Sequence, residues 1–147
     1  MNKEKNETEK NVLITLKSIQ SVDQDKAETE LITEGSFRMV DGGFEIMYEE
    51  SEATGFEGSV TVLSCYGNSC ASMQRYGSAP SNLVIEKDKK HHCHYGTPFG
   101  EFMVGVYTHK IDNRLTENGG DLYFKYTIDV NSSYVSDNEV YVNIKAT

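Results

Sequence analysis

The chain has no apolar run approaching the ~20 residues that a membrane-spanning helix needs. Its first residues, MNKEKNETEK, are charged, and no apolar segment of the kind a secretory signal uses stands behind them. Both absences argue against a membrane span and against secretion. Positive charge is scarce as well: Lys and Arg number 14 against 23 Asp and Glu, a formal charge of -9. That balance opposes a phosphate backbone or an anionic lipid surface, so neither nucleic acid nor membrane is expected as a partner. Cysteine is limited to Cys65, Cys70 and Cys93. An odd number behind no secretory signal argues against a disulfide framework and for free thiols in a reducing cytoplasm.

Signatures of catalysis are missing too. No Gly-x-Ser-x-Gly elbow presents a nucleophile, although Cys93 has neighbouring histidines. Gly119 and Gly120 follow Asn118 in a turn instead of opening a helix, as a phosphate-binding loop would. The sequence therefore predicts no enzyme and no cofactor. Apolar residues make up 37% of the 147, with a mean hydropathy of -0.53, which predicts one domain with a thin core.

What the chain does have is a two-residue period. In 121–130 (DLYFKYTIDV) Leu122, Phe124, Tyr126, Ile128 and Val130 share one face, and Asp121, Tyr123, Lys125, Thr127 and Asp129 share the other. Residues 12–19 are rich in β-branched side chains, and a weaker alternation runs through 28–40, 44–50, 59–66, 70–76, 82–87, 91–97, 101–110, 111–117 and 139–146. Turn residues separate these runs at Asp41-Gly42-Gly43, Gly67-Asn68, Asp88-Lys89-Lys90, Asn118-Gly119-Gly120 and Asn131-Ser132-Ser133, and Gly96-Thr97-Pro98-Phe99-Gly100 is a further break. Short connections between successive strands make an antiparallel meander. A sheet of about ten twisted strands normally closes, because closure removes both unpaired edges. The prediction is an all-β chain: a polar, disordered lead over 1–10, then a single up-and-down β-barrel of roughly eight to ten strands over 11–147. A β-sandwich is the rival, and it would want longer crossovers.

The order VLITLKSIQ, ELITEGSF, YEESEATGFEGSVT, Arg75-Tyr76-Gly77, YGTPFGEFMVGVYTHKI, ENGGDLYFKYTIDVN and SDNEVYVNIK closely resembles the YwiB-like family of small uncharacterised bacterial proteins. The resemblance implies a calycin-type, lipocalin-like barrel of the bacterial cytoplasm. It implies no known activity and brings no catalytic or binding residues with it.

Candidate site residues follow from strand parity. Glu50 shares a face with Phe44, Ile46 and Tyr48, and Arg75 shares one with Met73, so both charges point into the barrel if the apolar residues do. A guanidinium fork is the natural partner of a buried carboxylate, and an ion pair between Glu50 and Arg75 is expected, either as a ligand anchor or as a register-fixing plug. The loop 49–57 gathers Glu49, Glu50, Glu52 and Glu57, but without the ligand spacing of a calcium loop. In His91-His92-Cys93-His94 the strand period sends His92 and His94 to one face and His91 and Cys93 to the other, so four ligands cannot converge on zinc. No metal is expected at either place. The function expected is the binding of a small, partly apolar or acidic ligand in the barrel through Glu50 and Arg75. The alternative is a structural or protein-interaction module with a filled lumen.

Overall fold

A computed structural model of the protein describes residues 9–97 and 99–147, the Ala53 side chain excepted. Ten strands follow one another in order: β1 (Glu9–Val22), β2 (Asp25–Val40), β3 (Gly43–Glu49), β4 (Val60–Tyr66), β5 (Cys70–Tyr76), β6 (Ser81–Glu86), β7 (Lys90–Thr97), β8 (Gly100–Thr116), β9 (Gly119–Val130) and β10 (Ser133–Ala146). Every neighbouring pair is antiparallel, and β1 pairs with both β2 and β10, so the meander closes into a barrel. No helix among the described residues is long and apolar enough to cross a membrane.

The two-residue period sets what is inside. On β9 Leu122, Phe124, Tyr126 and Ile128 are buried, while Asp121 and Lys125 stand in solvent, as the alternation predicts. Val12, Ile14 and Leu16 of β1, Phe37 of β2, Ile46 of β3, Leu63 of β4 and Val140, Val142 and Ile144 of β10 complete one continuous core. Each such side chain contributes about 1.5–3 kcal/mol on burial.

The structure redraws several sequence boundaries. The runs 101–110 and 111–117 form one strand, β8, with a bulge between Thr108 and Lys110. The extra residue, His109, shifts the inward parity from Val104, Val106 and Thr108 to Ile111 and Leu115, which is why the alternation looked interrupted. Glu9 and Lys10, expected in the disordered lead, already belong to β1 and pair with Arg38 and Phe37, whereas residues 1–8 of that lead lie outside the described residues. β1 and β2 form a hairpin turned at Asp23-Gln24, where Asp23 has a positive φ of 55°. Pro98 is outside the described residues, but Thr97 pairs with Gly100 across the expected reversal.

One barrel end carries the β1/β2 turn and the longest connection, residues 50–59 between β3 and β4. That connection holds a single 3₁₀ turn, Glu52–Thr54, tied by Thr54 N–H to Ser51 O (3.2 Å) and Gly55 N–H to Glu52 O (3.1 Å). It folds over the mouth of the barrel, and the candidate site lies beneath it.

Candidate functional site

Strand register builds the site as a row around the barrel wall. Tyr48 pairs with Thr61, Thr61 with Arg75, Arg75 with Ser81 and Ser81 with Tyr95, so five inward positions on β3 to β7 lie side by side. Above this row is a cavity of about 200 Å³, lined on its apolar side by Leu16, Met73, Leu83 and Tyr126 and on its polar side by Glu50, Arg75 and Asn138. Both residues chosen from strand parity, Glu50 and Arg75, therefore face the same space.

They do not form the ion pair expected of them. Glu50 Oε2 accepts a hydrogen bond from the Thr61 hydroxyl at 2.5 Å. Arg75 turns the other way: Nη1 donates to Ser81 Oγ at 3.0 Å and to the carbonyls of Ala79 and Gly96, each at 3.4 Å. Among the described residues no ion pair joins the two side chains. Register is the reason. Glu50 stands beyond the end of β3 and Arg75 on β5, with the Thr61 strand between them, and neighbouring strands are ~4.8 Å apart.

The Arg75 grip depends on a close backbone approach. Gly96 N–H donates to Ser81 Oγ at 2.9 Å, and a Cβ on Gly96 would lie 2.3 Å from Pro80 O. Glycine at 96 thus lets β7 press against the β5–β6 turn and offer its carbonyl to the guanidinium. On its other side the Phe56 ring centroid lies 3.5 Å from Arg75 Cζ, a cation–π contact supplied by the loop over the mouth. Arg75 Nε is buried without a partner, and Nη2 makes no hydrogen bond among the described residues.

Tyr126 and Tyr48 complete the chemistry. Tyr126 is 7% exposed, lines the cavity, and its hydroxyl makes no hydrogen bond among the described residues. Burial pushes its pKa well above the ordinary tyrosine range, the Arg75 charge opposing, so it stays a neutral donor and acceptor. The Tyr48 hydroxyl is raised in the same direction, by burial first and then by the charge of Glu50, to which it also hydrogen-bonds, with Thr61 and Arg75 opposing. Both charges of the cavity therefore act on one tyrosine. Asn138, which also lines the cavity, donates from Nδ2 to Ser136 Oγ at 3.0 Å.

The other sequence candidates stay apart from this site. Among the described residues no three His, Cys, Asp or Glu side chains converge as a metal would require, neither in the acidic loop nor along β7. His91 Nε2 lies 2.7 Å from Glu86 Oε1 and helps hold that carboxyl below its ordinary range. His94 Nδ1 lies 3.5 Å from Glu101 on the outer surface. Cys93 points inward, where its Sγ accepts the Val84 N–H at 3.3 Å. All three cysteines are free thiols. Sequence reasoning treated Tyr48 and Tyr126 as core and missed Phe56 and Asn138. A tyrosine in an otherwise apolar inward stripe was the available signal, because its hydroxyl must find a partner or a cavity.

A comparison with curated proteins finds no match. Among solved structures, the crystal structure of the ywiB protein from Bacillus subtilis superposes with a TM-score of 0.82 at 18% sequence identity, covering 98% of each chain. At that identity the likeness shows a common fold, the lipocalin-like closed barrel. Residues 14–142 match the family model described as a domain of unknown function, DUF1934, and the chain belongs to that family.

Proposed function

We propose that the barrel binds a small, partly apolar or acidic molecule in the cavity beneath the 50–59 loop, and that it does so without covalent chemistry. The observation that carries this reading is Tyr126: a buried residue whose hydroxyl has no hydrogen-bond partner among the described residues, on a cavity that also receives an arginine whose Nε is buried without one. Buried polar groups are nearly always satisfied, and one left open toward a cavity is ready for a guest. The volume sets the size of that guest. About 200 Å³ exceeds the ~150 Å³ that admits benzene in a dry engineered cavity and falls below the ~300 Å³ where drug-sized pockets begin. A single ring or a short branched chain is the right scale. The three free thiols support a reducing compartment, the cytoplasm, as its setting, and the charge of -9 disfavours nucleic acid as a partner.

A structural module with a filled lumen is the second reading, favoured by the three acceptors on Arg75 Nη1 and by Phe56 stacked against it. Titration with 4-methylpentanoate, followed by the NMR signal of the Met73 methyl group, separates the two. Binding predicts saturable shifts at Met73 and at the Tyr48 and Tyr126 rings that are lost in Arg75→Met. A filled lumen predicts no shift at any of the three.

A further inference from the structure

Glu50 and Arg75 carry opposite charges into one cavity, yet each is tethered by its own neutral partners and they do not meet. The structure thereby holds a fixed dipole across the mouth of the barrel. Both ends keep capacity for a guest: Arg75 Nη2 donates no hydrogen bond among the described residues, and the Glu50 carboxylate, with about four lone-pair sites, is approached only by the hydroxyls of Thr61 and Tyr48.

We propose that this cavity takes a small zwitterion of the amino-acid class, its carboxylate on Arg75, its ammonium group on Glu50 and its apolar side chain against Leu16, Met73 and Leu83. The proposal rests on the binding reading above and narrows its ligand. A simple carboxylate would gain Arg75 but meet the like charge of Glu50, and a simple amine would gain Glu50 but meet Arg75. A molecule carrying both charges leaves neither protein charge opposed, and discrimination of this kind comes as much from repulsion of the wrong ligand as from attraction of the right one. Register keeps the dipole from collapsing on itself, because Thr61 stands between the two residues and hydrogen-bonds Glu50. Tyr126 adds a neutral hydroxyl able to donate to the carboxylate or accept from the ammonium group.

Isothermal titration calorimetry of the full chain at neutral pH with leucine, 4-methylpentanoate and 3-methylbutylamine tests this, since the three probes share one branched alkyl chain and differ in charge. Leucine is expected to bind about tenfold or more tighter than either single-charge analogue, a difference of about 1.4 kcal/mol or more. In Glu50→Gln that advantage over 4-methylpentanoate should vanish, while 4-methylpentanoate itself binds as well as before or better. Should Glu50→Gln not fold, the wild-type ranking decides alone. Equal affinity for leucine and 4-methylpentanoate in the wild-type protein would overturn the zwitterion and leave a barrel that binds acids. No binding of any of the three would overturn both readings.

Discussion

The barrel is built from two unlike halves. Strands β1, β2, β8, β9 and β10 run from 12 to 17 residues, whereas β3 to β7 run from 6 to 8. Along β1 every residue from Glu9 to Val22 pairs with β2. Between β6 and β7 the ladder consists of Ser81 with Tyr95 and Asn82 with His94, after which the strands part and Cys93 Sγ takes the Val84 N–H. The turn beyond leans on β8 instead, with Asp88 N–H donating to Thr108 O at 2.9 Å. The difference explains where the cavity is. Residues 25–34 of β2 pair with β1 alone, because β3 meets β2 only over Gly35–Val40. The long hairpin thus overhangs the short strands, and the loop 50–59 fills the step incompletely. The cavity lies where the short half stops, against the overhanging end of the long hairpin.

Core truncation gives the largest test of that contrast. Phe124→Ala, in the middle of the long half and fully buried, should cost about 3–5 kcal/mol in urea unfolding. Leu83→Ala on the cavity wall should cost nearer 2 kcal/mol, because Leu83 already faces open space and has fewer contacts to lose. Equal losses would break the comparison, since they would mean that the cavity is packed shut in solution.

What could be read from the sequence followed the same division. The β9 stripe was legible because its inward residues are large and apolar or aromatic while its outward residues, Asp121, Tyr123, Lys125, Thr127 and Asp129, all carry polar groups. The overhanging β1/β2 hairpin was not, because residues 23–28 are exposed on both faces and carry no alternation to read. Parity placed Glu50 and Arg75 on the cavity wall, since facing is a property of one strand. Their pairing was mispredicted, since partnership depends on cross-strand register, and no local pattern shows that Thr61 stands between them. The step in strand length that creates the cavity is likewise a relation among distant segments.

Alkaline titration probes the far end of the short half. Cys65 on β4 is fully buried, and burial pushes its thiol up to about 11, a backbone hydrogen bond with Phe44 opposing. The folded state therefore holds the neutral thiol more firmly than the unfolded chain does. Its contribution is whole below the ordinary thiol value of 9.0 and is lost as pH rises toward about 11. The expected loss is about 2–3 kcal/mol across that window, measured as the fall in unfolding free energy. Cys65→Ala should flatten this part of the curve. A slope unchanged by Cys65→Ala would show that water reaches Cys65, and the short half would then be open at both ends instead of at the cavity alone.

The smallest effect belongs to the pair that ties the halves together. Lys90 of β7 reaches across β8 to Asp129 of β9, Nζ to Oδ2 at 2.7 Å. The path is open because the strand between carries Gly105, where a Cβ would stand 2.5 Å from Lys90 Cε and 2.7 Å from Asp129 Oδ1. The hydrogen bond from Lys90, aided by the Ser132 N–H at 3.2 Å, holds the Asp129 carboxyl below its ordinary range against partial desolvation. A depressed carboxyl value stabilises the fold above the unfolded value of about 3.9 and ceases to do so as pH falls through the folded one. With Lys90 partly in solvent the contribution should stay below about 1 kcal/mol. Lys90→Met is expected to remove that amount at neutral pH and to shallow the acid limb of the stability curve. An acid limb identical in Lys90→Met and wild type would mean that β7 is joined to the long half by its backbone ladder to β8 alone.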